Sequence, residues 1–261
     1  MRNSNHSTFR SLLKAGICLS VFSVASVLLP AVAQDDDTPE ARKLDTIIVS
    51  STKREQTLQD TPIAVTVVGE DLLEAAEIID VIDLQSVVPS LQVSQATSTI
   101  QTAFTIRGFG SASNNAGIEP SVGVFVDGVY RSRPSAALSD LLNVSRVEVL
   151  RGPQSTLFGK NASVGVISVG TKAPEFETGG SVSGTYANNN TIRLVGDVTG
   201  PISDQLAFRL AGSYNTSDGY TTNLTTGNGV NDRNRFALQG QLLFQPSEDL
   251  SFRLIADYDE I

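Results

Sequence analysis

The sequence predicts an α+β domain followed by the N-terminal antiparallel strands of a transmembrane β-barrel. Three observations predict it. The first 33 residues have the make-up of an export signal. Residues 60–174 mix short helical and strand patterns. From residue 178 onward, helical spacing gives way to a two-residue alternation of apolar and polar side chains.

The export signal comes first in the chain. Residues 1–14 hold Arg2, Arg10 and Lys14 and no acid, and residues 15–29, AGICLSVFSVASVLL, are almost wholly apolar. Pro30 then breaks the run, and Ala31 and Ala33 stand in the small-residue positions that precede a cut, so cleavage is expected between Ala33 and Gln34. The apolar run is short of the roughly 20 residues that a helical span needs. Ile17 stands before Cys18 where a lipidation site wants a small residue.

Cleavage removes three of the 19 basic residues and none of the 28 acids, leaving 228 residues with a net charge of −12. Phosphate backbones are held by clustered Lys and Arg, so no nucleic-acid partner is expected. His6 and Cys18 are the only His and Cys, and both lie in the removed segment. A mature chain without imidazole or thiol has no Ser-His-Asp triad, no Cys-His pair and no zinc site built on His or Cys. Carboxylate chemistry and oxygen-ligated metals remain open, with enzyme the weaker class, and the expectation is no enzyme, no cofactor and no metal site. Asp35, Asp36 and Asp37 lack the alternate spacing of a calcium loop and read as a solvated tail. Asn143, Asn161, Asn215 and Asn223 fall in N-x-Ser/Thr triplets, taken as chance matches.

Residues 34–59 form a polar, disordered lead containing one β-prone run, Ile47, Ile48 and Val49. That run fits either a first edge strand or a linear motif that adds a strand to a partner's sheet. The α+β domain follows at 60–174. IAVTVV after Pro62 reads as a strand and EDLLEAAEI as a short helix. Asp80 can cap a second helix, VIDLQSVV, which Pro89 stops, with Val81, Leu84 and Val88 on one face. LQVSQA and TAFTIRG read as strands. GVFVDGVY carries Asp127-Gly128 between two β-rich arms, a tight-hairpin signal. AALSDLL reads as a brief helix, and SRVEVL and VGVISVGT as further strands.

In the last region, SVSGTY, TIRLVGDVT, LAFRLAGSY, RFALQGQLLF and LSFRLIADY alternate. Leu206, Phe208, Leu210, Gly212 and Tyr214 share one face, and Ala207, Arg209, Ala211, Ser213 and Asn215 the other. Such strands suit a soluble sandwich with the apolar face inside, or a membrane barrel with that face turned to lipid. The connections favour the barrel: ANNN, GPISDQ and QPSED are short, whereas NTSDGYTTNLTTGNGVNDRN is long and polar. Five runs fall short of the roughly eight strands at which bacterial single-chain barrels begin, so the chain is expected to be part of a longer one.

RGPQSTLFGKNAS at 151–163 looks at first like a phosphate-binding loop. Six residues separate Gly152 from Gly159, not four, Asn161 follows Lys160, and Pro153 removes an N–H. The segment matches something else. IRGFG at 106–110, PSVGVFVDGVYRSRP at 120–134 and VEVLRGPQSTLFGKNASVGVISVGTKAP at 147–174 together resemble the plug domain of TonB-dependent outer-membrane receptors. DTIIVSSTKREQTLQDTPIAVTVV at 45–68 looks like that family's TonB box leading into the plug, and the region after 178 is similar to the first strands of its 22-stranded barrel. Ser155 after RGPQ and VGVISVGTK depart locally from the family pattern.

The resemblance implies a gated transporter. A scarce nutrient, most often a ferric siderophore, binds on the extracellular side. The box, Asp45, Thr46, Ile47, Ile48 and Val49, pairs with TonB in the periplasm. The plug is then pulled aside within a barrel embedded in outer-membrane lipid. Arg107 and Arg151 correspond to plug arginines that meet barrel glutamates, half of a clasp whose other half is expected in strands outside this chain. Gly108, Gly128, Gly152, Gly159 and Gly165 are expected to supply plug turns and close backbone approach. Loops around 111–118 and 131–135 are candidate substrate contacts, and the substrate itself is unknown. Two further readings stand beside this one: a secreted β-sandwich that binds or adheres, and a receptor of the same family for cobalamin, a sugar or an aromatic compound. A signal-transducing member would carry an extra domain before the box, for which Gln34–Leu44 is too short.

Overall fold

A computed structural model describes residues 48–49, 56–57, 61–95, 101–111, 117–132, 140–225, 227 and 229–260. The export signal expected at 1–33, most of the lead at 34–59 and most of the helix expected at 136–142 lie outside the described residues.

The α+β domain is built on a five-stranded sheet. Its strands are β3 (Ala64–Gly69), β9 (Val144–Arg151), β10 (Gly165–Thr171), β7 (Val122–Val126) and β8 (Val129–Arg131), in that spatial order. β10 runs parallel to β7, and the remaining pairs are antiparallel. β9 and β10 are central and covered on both faces, which is why VEVL and GVIS read as nearly continuous apolar runs. Over one face lie α1 (Glu70–Ala75), a 3-10 turn (Asp83–Ser86) and a small sheet of β4 (Leu91–Gln95), β5 (Thr102–Ile106) and β6 (Phe109–Gly110). Leu84, Val88, Leu91, Ile106, Val147, Val149 and Ile167 fill the space between. Each fully buried side chain of this size contributes about 1.5–3 kcal/mol. On the other face Phe125 stacks with Tyr130 and with Phe158 of α2 (Ser155–Phe158), above Leu150 and Val166.

The second expected helix is shorter than its pattern. Val81, Leu84 and Val88 do share the buried face. However, the Asp80 carboxylate accepts from the backbone N–H of Ile82, and the Asp83 carboxylate accepts from those of Ile79 and Asp80. These side chains occupy backbone donors, and the chain closes into one 3-10 turn before Pro89.

A second five-stranded sheet follows. β11 (Gly179–Ala187), β12 (Thr191–Ser203), β13 (Leu206–Ser217), β16 (Arg233–Ser247) and β17 (Leu250–Glu260) lie side by side in chain order, each antiparallel to the next. A minor hairpin, β14 (Thr221–Thr222) with β15 (Gly229–Val230), stands in the long loop. The turns at 204–205 and 248–249 fall at one end, and the turn at 188–190 and the loop at 218–232 at the other. The latter two are tied together, since Asp218 N–H donates to the Asn189 carbonyl at 2.8 Å.

The burial of the two faces decides between sandwich and barrel. Ala207, Arg209, Ala211, Ser213, Asn215, Ala237, Gln239 and Gln241 are buried against the α+β domain. Leu194, Leu210, Tyr214, Phe236, Leu242, Phe252, Leu254 and Tyr258 point away from it and are exposed. A sandwich would bury that apolar row; a barrel wall presents it to lipid. The fold is the barrel type, and the soluble sandwich is overturned.

Candidate functional site: the seam between domain and wall

Alternation places Arg193, Arg209, Arg233, Arg235 and Arg253 of the wall on the row facing the domain, and Arg209, Arg235 and Arg253 bond to it. Arg209 and Arg235 are buried deeply enough to require partners, because charge at this depth is costly unless paired, whereas Arg253 stays partly open to solvent. Arg209 of β13 keeps 4% of its side chain exposed and meets four groups. It donates from Nε to the Ala173 carbonyl at 3.0 Å, from Nη1 to Asp197 at 2.6 Å and to Asn143 Oδ1 at 3.5 Å, and from Nη2 to Glu175 at 2.8 Å.

Arg235 of β16 puts one nitrogen, Nη1, on two carboxylates of the domain. Asp80 Oδ2 lies at 3.0 Å and Asp140 Oδ1 at 3.2 Å. The two carboxylates are 1% and 2% exposed. Both sit at one corner of the domain, where Leu141 N–H donates to the Ile79 carbonyl at 2.7 Å.

Arg253 of β17 donates from Nη2 to Thr171 Oγ1 at 2.8 Å, to the Lys172 carbonyl at 3.1 Å and to Gln241 Oε1 at 2.8 Å. The Thr171 hydroxyl donates to Asp127 Oδ2 at 2.8 Å and also accepts from Gln241 Nε2 at 3.2 Å. Its one donor and two acceptor positions are thereby filled. One pair has the opposite polarity, with Arg131 of the domain on Asp257 of β17 at 3.5 Å. A cavity of about 290 Å³ lies in the seam beside these pairs, lined among others by Val81, Arg131, Asp140, Gln239, Asp257 and Asp259.

The residues singled out in the sequence fall elsewhere. Arg107 is exposed in the β5–β6 turn with φ 54°, its backbone N–H donating to the Ser90 carbonyl. Arg151 points along the domain's own edge, to the carbonyls of Ala64 and Val65 at 3.4 and 3.5 Å. Gly108, Gly128, Gly152 and Gly159 have φ between 79° and 96°. Gly165 differs from the turn expected of it. It opens β10, where a Cβ would meet the Leu150 carbonyl oxygen at 2.5 Å and Ile106 Cδ1 at 2.6 Å. Its role is close approach of strand to strand. Asp45, Thr46 and Ile47 lie outside the described residues; Ile48–Val49 form β1, paired with β2 (Gln56–Thr57), and Val49 is fully buried.

What the sequence reading missed is the set Arg209, Arg235 and Arg253 with Asp80, Asp127 and Asp140. The signal was present, since an arginine on the inward row of a membrane strand implies a partner. Which partner is a matter of tertiary distance.

A folded domain gripped by the polar face of strands whose apolar face points outward defines a barrel protein carrying an internal plug. Comparison with known proteins gives the family. Residues 57–166 match the family model described as the TonB-dependent receptor plug domain. That match covers the α+β domain, and the strands after it resemble the barrel of TonB-dependent receptors. It is 30% identical over 247 residues to the iron-regulated outer membrane virulence protein of Vibrio cholerae, covering 87% of this chain and 35% of that protein. It is 28% identical over 186 residues to the pesticin receptor of Yersinia pestis, covering 71% of this chain and 27% of that one. Among solved structures, the ferric yersiniabactin uptake receptor of Yersinia pestis superposes with a TM-score of 0.68 at 28% identity, over 76% of this chain and 31% of that one. The chain thus spans about a third of the length of the relatives it matches.

Proposed function

We propose that this chain is the plug and first wall strands of a receptor that takes up a ferric siderophore or similar iron complex across the bacterial outer membrane, energised by TonB. The observation that carries the reading is the two-sided wall, apolar toward lipid and polar toward a plug held by buried ion pairs. A plug held in this way closes the barrel and can still be released, because charge-assisted pairs are strong but exchange for water. The related proteins named above as an iron-regulated outer-membrane protein and as a ferric yersiniabactin uptake receptor support iron complexes as the substrate class.

In this reading residues 1–33 are the export signal, 34–59 the lead with the TonB box, 60–174 the plug, and 178–261 the first five barrel strands. The box is Asp45, Thr46, Ile47, Ile48 and Val49. Strand addition suits it, because a ladder of backbone hydrogen bonds needs little side-chain specificity. The pairing of Ile48–Val49 with Gln56–Thr57 supports a segment that can adopt a strand, as exchange onto TonB requires.

The test uses the full-length receptor in a strain lacking its other iron receptors. Growth on single ferric chelates identifies the substrate. Deleting residues 45–49 is expected to abolish energised uptake and to leave chelate binding to whole cells intact. Uptake that survives the deletion overturns the TonB reading.

A further inference from the structure

We propose that Arg235 is the latch of the plug: its single cation bridges Asp80 and Asp140, offsets one of their two charges and so keeps the seam shut until the plug is pulled. The proposal rests on the plug-gated reading above. Asp80 Oδ2 and Asp140 Oδ1 share one nitrogen, Nη1, and each carboxylate is almost wholly buried. Asp140 Oδ2 is also buried and has no hydrogen-bond partner. Asp80 Oδ1 accepts from the backbone N–H groups of Ile82 and Asp83, so at this corner the guanidinium is the cation that separates Asp80 from Asp140, whose free oxygen has no donor. Once it is withdrawn, two like charges remain in a poorly hydrated seam, where they repel and draw in water.

The position along the chain fits a latch. From the N-terminal segment, where force would enter, the chain runs through β3 and α1, both inside the domain. Asp80, which follows α1, is bonded to the wall through Arg235. Asp140 is joined to the same corner through the bond from Leu141 N–H to the Ile79 carbonyl. The neighbouring cavity shares Val81, Asp140, Leu141 and Leu142 with this corner. Displacing the corner removes part of that cavity's wall, so the break begins beside an existing void.

The experiment reads leakage through the full-length receptor in cells lacking TonB, as influx of a hydrophilic antibiotic too large for general porins, at equal amounts of receptor in the membrane. R235M, which leaves both carboxylates uncompensated, is expected to raise influx about tenfold or more, the scale at which loss of one partner of a buried pair is felt. R235K keeps the charge and is expected to stay near the parent. The triple variant R235M/D80N/D140N keeps the volume, removes all three charges and is expected to fall back toward the parent. Where R235M is not inserted, R235Q carries the same expectation. Equal influx for parent and R235M, or equal leakage by R235M and the triple variant, overturns the latch. A parent receptor that takes up no chelate even with TonB present would instead overturn the transport reading, and the leakage comparison would still stand.

Discussion

Arg209 and Glu175 meet at 2.8 Å, so the central strand of the wall grips the short segment by which the plug runs into that wall. The same side chain holds the Ala173 carbonyl and Asp197. One residue of β13 thereby joins Asn143 of the plug, the connecting segment and the neighbouring strand β12.

Removing Arg209 is expected to be among the costliest single changes in the wall. R209M leaves the largely buried Asp197 carboxylate without its cation, and the loss should be about 3–5 kcal/mol. Denaturant unfolding of the receptor in detergent measures it. R209K, which keeps the charge but not the fork, should lose less.

The Thr171 hydroxyl links Asp127, Gln241 and Arg253. T171V keeps the shape and removes the hydroxyl, which should cost about 1–3 kcal/mol for the buried polar groups left short of a partner. T171S should be close to neutral. Thermal midpoints of the two variants, measured side by side, separate hydroxyl from volume.

Two plug glycines should respond to alanine for different reasons. G165A puts a methyl group against the Leu150 carbonyl oxygen and Ile106, and overpacking of this kind costs about 1–3 kcal/mol. G128A meets open space but forces alanine to φ 79°, where the penalty is about 1 kcal/mol. Unfolding midpoints should rank G165A below G128A.

The lipid-facing assignment is tested on two exposed leucines. L210R places a cation on the outward face of β13 and should cost about 2–4 kcal/mol on folding into lipid vesicles. L224R lies in the long loop, where Leu224 is 98% exposed, and should change little. Equal tolerance of both would contradict a membrane-facing wall.

Much of this architecture is legible in the sequence, because alternation is a local property. Leu206 to Asn215 sort into two rows without any knowledge of the partner strand, and Asp127-Gly128 announces its hairpin. The glycines with positive φ stand in short, polar stretches between apolar runs. The second helix was overestimated because its apolar spacing hides the competition of Asp80 and Asp83 for backbone N–H groups. The arginine motifs drew attention to Arg107 and Arg151. The wall arginines that bind the plug here are Arg209, Arg235 and Arg253, which have no motif around them.

By itself the sequence determined where strands run, which residues share a face, and that the chain resembles a plug leading into barrel strands. The tertiary structure decided which face turns inward and which carboxylate each inward arginine meets. The physical reason is range. Face sharing follows from the two-residue period of a strand, whereas Arg235 and Asp80 are 155 residues apart in the chain and are brought to 3.0 Å only when the plug is seated against the wall.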